Sequence, residues 1–121
     1  MRLSFDDPEE RRTLADGRVA VDVVRMAGMP VLRITHNVGW RWSRDSVPGD
    51  SSVDRCQSVH VGVMTAGELG VEEADGTSYV LRAGDPAVIL PGHDAWTVGP
   101  EAAVLVQFDE GDSAQRRFGL S

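Results

Sequence analysis

The chain predicts an all-β fold, a sandwich or barrel of short strands, and three observations carry that expectation. Short segments rich in β-branched and aromatic residues alternate in polarity with a period of two. Glycine and proline punctuate the intervals between them, at Gly28, Pro30, Gly39, Gly67, Gly84, Pro91-Gly92 and Gly99-Pro100 among others. The segments are short and near-regularly spaced, as in a sandwich or barrel.

Taken in order, Asp7-Pro8-Glu9-Glu10 predicts one helical turn at most, with Asp7 as cap, Pro8 at the first helical position and Glu10 closing a capping box. Residues 18–25 and 31–42 predict strands, and in the second His36 shares its parity with Val38, Trp40 and Trp42. Further along, Val59, Val61 and Val63 are expected to face one way and Ser58, His60, Gly62 and Met64 the other. Asp75-Gly76 predicts a hairpin turn between strands around 67–73 and 78–82. Residues 86–90 and 102–108 predict two more strands, and the polar stretch 44–55 a surface loop. The whole reads as one domain, with an N-terminal extension at 1–17, a barrel over 18–108 and a tail at 109–121.

Bulk properties narrow the partners. At 121 residues the chain is long enough to bury a core without disulfide or metal staples. Nineteen acidic residues against twelve basic ones, all arginine, give a net charge of −7, which repels phosphate backbones and anionic lipids. The paired arginines 11–12 and 116–117 are too sparse for a nucleic-acid footprint. Neither nucleic acid nor membrane is therefore an expected partner. The lone Cys56 excludes an intrachain disulfide and suits a reducing compartment. No apolar run approaches the roughly 18 residues of a membrane span, and the acidic first ten residues lack the apolar stretch of a secretory signal. The expectation is a soluble cytoplasmic protein.

Chemistry-bearing residues fall into two clusters of spacing. Asp54, Cys56, His60 and Gly67 form D-x-C-x3-H-x6-G, and Gly84, Leu90, Gly92, Ala95 and Gly99 form a second set around Pro91-Gly92-His93-Asp94-Ala95-Trp96. In that register the chain resembles the cupin superfamily, whose two signatures are G-x5-H-x-H-x(3,4)-E-x6-G and G-x5-P-x-G-x2-H-x3-N. Asp54 and Cys56 stand where the paired histidines belong and His60 where the glutamate belongs. Leu90, Ala95 and Gly99 take the proline, histidine and asparagine positions, and His93 lies two residues before Ala95. The leading glycine is either Gly49 or Gly39. With Gly39-Trp40-Arg41-Trp42-Ser43 and Cys56-Gln57, the likeness points to short single-domain cupins and extends from about residue 5 to 108. It implies a metal-holding jelly-roll barrel of the double-stranded β-helix type and a homodimer, but fold does not fix function.

An extended strand would put residues 54, 56, 58 and 60 on one face, and would aim His93 to the side of Ala95. A thiolate from Cys56 and imidazoles from His60 and His93 suit a divalent transition metal, Zn, Fe or Cu, with one open position. Asp54 and Asp94 are candidate proton carriers, carboxylate ligands or partners that orient a histidine. The competing expectation is that Cys56 packs as a small apolar residue and the histidines are satisfied core groups. His36, Trp40, Trp42, Met64 and Trp96 are candidates for a substrate pocket, the tryptophans as walls for a flat molecule or as core filling. Arg41 is a candidate for holding a substrate carboxylate, against the plainer reading of a surface ion pair. Tyr79 is expected to face solvent. Two functions follow. One is a metal-dependent enzyme of isomerase, cyclase or lyase type acting on a small carbonyl-bearing metabolite; the other is a binding or sensing module without metal.

Overall fold

The computed structural model describes residues 1–48 and 53–108. The expected tail at 109–121 and the Gly49 position lie outside the described residues. Nine strands are formed among them: β1 (Glu10–Leu14), β2 (Val19–Met26), β3 (Met29–His36), β4 (His60–Ala66), β5 (Glu68–Glu72), β6 (Ser78–Arg82), β7 (Pro86–Ile89), β8 (Asp94–Val98) and β9 (Ala103–Phe108). They build a six-stranded sheet, β1-β2-β3-β9-β4-β7, facing a three-stranded sheet, β6-β5-β8, with every pairing antiparallel. This is the expected all-β jelly roll. Among the described residues no helix is long and apolar enough to cross a membrane.

Alternation decides what each strand buries. Val19, Val21 and Val23 of β2 and Leu32 and Ile34 of β3 point into the core with Leu69 and Val71 of β5 and Leu105 of β9. On β4 the expected parity holds: Met64 is buried and His60 turns inward, while Val59 and Val61 are exposed. Gly62 is required by close approach, since a Cβ there would lie 2.0 Å from the Val106 carbonyl oxygen. The Asp75-Gly76 hairpin forms as expected, with Gly76 at φ 89° joining β5 to β6.

The N-terminus departs from the expected helical turn. The Glu9 N–H is already taken by the Val23 carbonyl at 2.9 Å, so the chain enters the sheet where a capping box would have formed. The expected extension at 1–17 therefore contributes β1 to the six-stranded sheet. Its anchor is a row of charges on the sheet's outer face, where Asp22 is opposite Arg11 on β1 and Arg33 on β3. Both arginines pair with the buried Asp22 carboxylate, Arg33 at 2.9 Å. Arg33 also holds Asp6 at 2.9 Å and lies over the Phe5 ring.

A second departure is at 31–42. β3 stops at His36, because the next segment turns through Gly39 at φ 85° and a Trp40 N–H bond to the Asn37 carbonyl. Val38 is exposed as a result, and residues 42–46 coil into a single π-type turn. Tyr79 packs partly against the core with its hydroxyl donated to Glu73, a correction to the solvent-facing expectation.

Candidate metal centre and cavity

The two sheets enclose a cavity of about 630 Å³. Its walls are mainly apolar, with Trp40, Trp42, Leu69, Ile89 and Leu105 among them, and three histidines and Cys56 supply polar atoms. Val53 and residues 55–58 complete one wall and bring in Arg55 and Gln57.

Backbone pairing assembles the polar cluster. Cys56 and His93 form an isolated bridge, with the Cys56 N–H donated to the His93 carbonyl at 2.9 Å and the Gly92 N–H to the Cys56 carbonyl at 2.7 Å. His60 opens β4 opposite Ile89 of β7, the strand that leads into the Pro91-Gly92-His93 turn. Consequently the Cys56 sulfur and the His60 and His93 ring nitrogens all lie within 4.8 Å of one another. The Sγ of Cys56 is 3.7 Å from Nε2 of His60, and the two imidazoles meet edge-on at 5.1 Å.

Both rings are oriented from behind. His93 donates its Nδ1–H to the Leu90 carbonyl at 2.6 Å, and His60 donates its Nδ1–H to Oε1 of the fully buried Gln107 at 2.6 Å. A carbonyl oxygen can only accept, so Nδ1 carries a proton in both rings and Nε2 is turned toward the sulfur. Burial pushes the Cys56 thiol up, but hydrogen bonds from His60 and His93 outweigh it and bring it down to about 5. Burial lowers His93, yet the thiolate and the Leu90 carbonyl leave it raised above its ordinary value.

His36 lines the same cavity outside that cluster. Its Nδ1–H is donated to the Ala103 carbonyl at 3.1 Å, and its ring packs on Trp40 with centroids 4.5 Å apart. Burial lowers it to about 4, so the ring is neutral near pH 7. His36 thus faces inward from a strand that is interior to its sheet, because β9 pairs with β3 on one side and β2 on the other.

Several expected site residues are elsewhere. Asp54 does not share a face with Cys56: β4 begins only at His60, and the Asp54 side chain is 89% exposed. Asp94 and Trp96 alternate with the inward His93 and Ala95, so both lie on the outer face of the three-stranded sheet. There Asp94 is 1% exposed and held by Arg41 at 2.9 Å and by the Ser43 hydroxyl at 2.8 Å and N–H at 3.0 Å. Trp96 lies over Gly70, where any Cβ would strike its ring, and Arg41 stacks on it at 4.7 Å. Arg41 therefore serves that external lock and does not line the cavity. Met64 is buried in the core without lining the cavity. Gln107 was not anticipated, although an amide at inward parity in Ala-Val-Leu-Val-Gln-Phe is a polar intrusion that could have been noticed.

No family model matches the chain, and no curated protein matches it. Solved structures do. A protein of unknown function from Acinetobacter sp. ADP1 superposes with TM-score 0.60 at 16% identity, over 84% of this chain and 90% of that one. A sugar phosphate isomerase of the cupin superfamily from Silicibacter pomeroyi gives TM-score 0.63 at 18% identity, over 92% and 76%. The Fe(II) form of HppE gives 0.61 at 10% identity, over 91% and 60%. At such identities the likeness is one of fold.

Proposed function

We propose, from the cupin-type double-stranded β-helix that these likenesses establish, that the chain is a metal-dependent enzyme acting on a small carbonyl-bearing metabolite. Its reaction is of the isomerase, cyclase or lyase type. The observation that carries this reading is the convergence of one thiol and two imidazoles in a cavity, each imidazole backed by a carbonyl oxygen. The donor set fits a divalent transition ion such as Zn²⁺, Fe²⁺ or Cu²⁺: it offers a soft thiolate and two Nε2 atoms that the Nδ1 bonds turn toward it. When bound, such an ion supplies Lewis-acid polarisation of a substrate oxygen.

The chain's own residues do the remainder. Gln107 and the Leu90 carbonyl hold the rings in place, so little reorganisation opposes binding. Trp42, Leu69, Ile89 and Leu105 exclude water and suit a small, flat, partly apolar molecule. Asp45, a carboxylate among the lining residues, is tied to Arg44 and to the Arg41 N–H, which takes it out of proton transfer. A homodimer belongs to the same reading, supported by the edges of β1 and β7, which pair with no further strand among the described residues, and by the exposed Val88 and Leu90 at the latter.

Elemental analysis of protein purified without an affinity tag tests the reading. About one transition-metal ion per chain is expected, lost in His60→Ala and in His93→Ala while the fold persists. Metal-free protein whose Tm does not rise on adding Zn²⁺ or Fe²⁺ contradicts it, since a ligand that binds only the native state must stabilise it.

A further inference from the structure

The three cavity histidines share one device: each gives its Nδ1–H to a carbonyl oxygen, of Gln107, Leu90 or Ala103. For His60 and His93 the other nitrogen meets Cys56. For His36 it meets no protein group among the described residues, although the side chain is more than nine-tenths buried and lines the cavity. A ring gripped by Ala103 on one edge and by Trp40 on one face cannot turn to hide that nitrogen. A buried acceptor left unpaired is costly, so the site favours a ligand that satisfies it.

We infer that His36 is a ligand-positioning residue whose Nε2 is a fixed hydrogen-bond acceptor, selecting small molecules with a flat apolar body that carry a hydroxyl or N–H donor. The inference rests on the cavity being the ligand site of the proposed function, but not on a metal being present. The acceptor stands on β3, while the Cys56, His60 and His93 cluster is carried by β4 and the turn after β7. A ligand held at both would be fixed in orientation by its donor at one end and its metal-seeking oxygen at the other.

Phenol and anisole isolate the acceptor, because they differ by a single O–H donor. With chelator-treated full-length protein, calorimetric or NMR titration is expected to give phenol about tenfold tighter than anisole. In His36→Phe the two should bind alike. Independently of any variant, nitrogen-detected NMR of the wild-type protein should show His36 protonated on Nδ1 and bare on Nε2. The Nε2 signal should move with phenol and not with anisole. Equal binding of the two probes, a preference that survives in His36→Phe, no binding of phenol, or a ring protonated on Nε2 would each overturn the inference. Because the titration is run without metal, its failure leaves the metal reading standing, and a metal-free elemental analysis leaves this inference standing.

Discussion

The replacement of ligand letters at this site makes sense when each donor is followed to its support. Cys56 is placed by a backbone bridge to His93, and His60 by the inward parity of β4. The inward turn of His60 was legible as alternation and Cys56 as a donor by its spacing, whereas the bridge was not legible. Asp54 was misplaced because alternation was carried through residues 53–59, which are not strand. Asp94 and Trp96 were misplaced for the opposite reason: the parity that turns His93 and Ala95 inward turns both outward. The role of Gln107 is not legible in the sequence because its partner is 47 residues away, and no local pattern links an amide on β9 to an imidazole on β4. Its role is open to measurement. Gln107→Leu keeps the volume and removes the acceptor behind His60, so metal affinity should fall about 10- to 100-fold with the fold retained. Competition against a chromogenic chelator reads this, and an unchanged affinity would show that His60 needs no orienting partner.

At the level of elements, nearly every strand could be anticipated from period-two alternation and glycine-proline punctuation, and boundaries erred by a few residues. β8 was not among the expected strands, and neither was β1. Its Glu-Arg-Arg-Thr-Leu sequence is too polar to read as a strand, and what holds it is a pairing register that sets Arg11 against Asp22. The lock outside the three-stranded sheet was equally invisible, since Arg41 and Asp94 are distant in sequence and meet only after β8 folds onto the 41–46 segment. That lock makes a prediction distinct from any catalytic role. Asp94→Ala strips Arg41 and the Ser43 N–H of their partner and should lower stability by about 1–3 kcal/mol. Metal content per folded chain should not change. Loss of metal in this variant, with an unaltered denaturation midpoint, would return Asp94 to the metal site.

Over the whole molecule, the cavity sets a pH dependence. His36 is buried and neutral, and its folded value of about 4 lies below its unfolded value of about 6.5. The unfolded chain therefore takes up a proton that the folded chain refuses between those values. Stability from this group is full above pH 6.5 and is lost as pH falls toward 4. The shift corresponds to about 3 kcal/mol near pH 4. Metal-free wild-type protein should lose that much more stability than His36→Phe between pH 7 and 4, by denaturant titration. Parallel losses in the two proteins would mean that His36 is protonated at little cost in the folded state.

The central claim is that a thiolate and two imidazoles act together on one ion, and cobalt(II) titration of the metal-free chain tests it most directly. A thiolate-to-cobalt charge-transfer band should grow to saturation at one equivalent, vanish in Cys56→Ser and weaken in His60→Ala and His93→Ala. Cobalt binding without that band, or a band that persists in Cys56→Ser, would contradict the account.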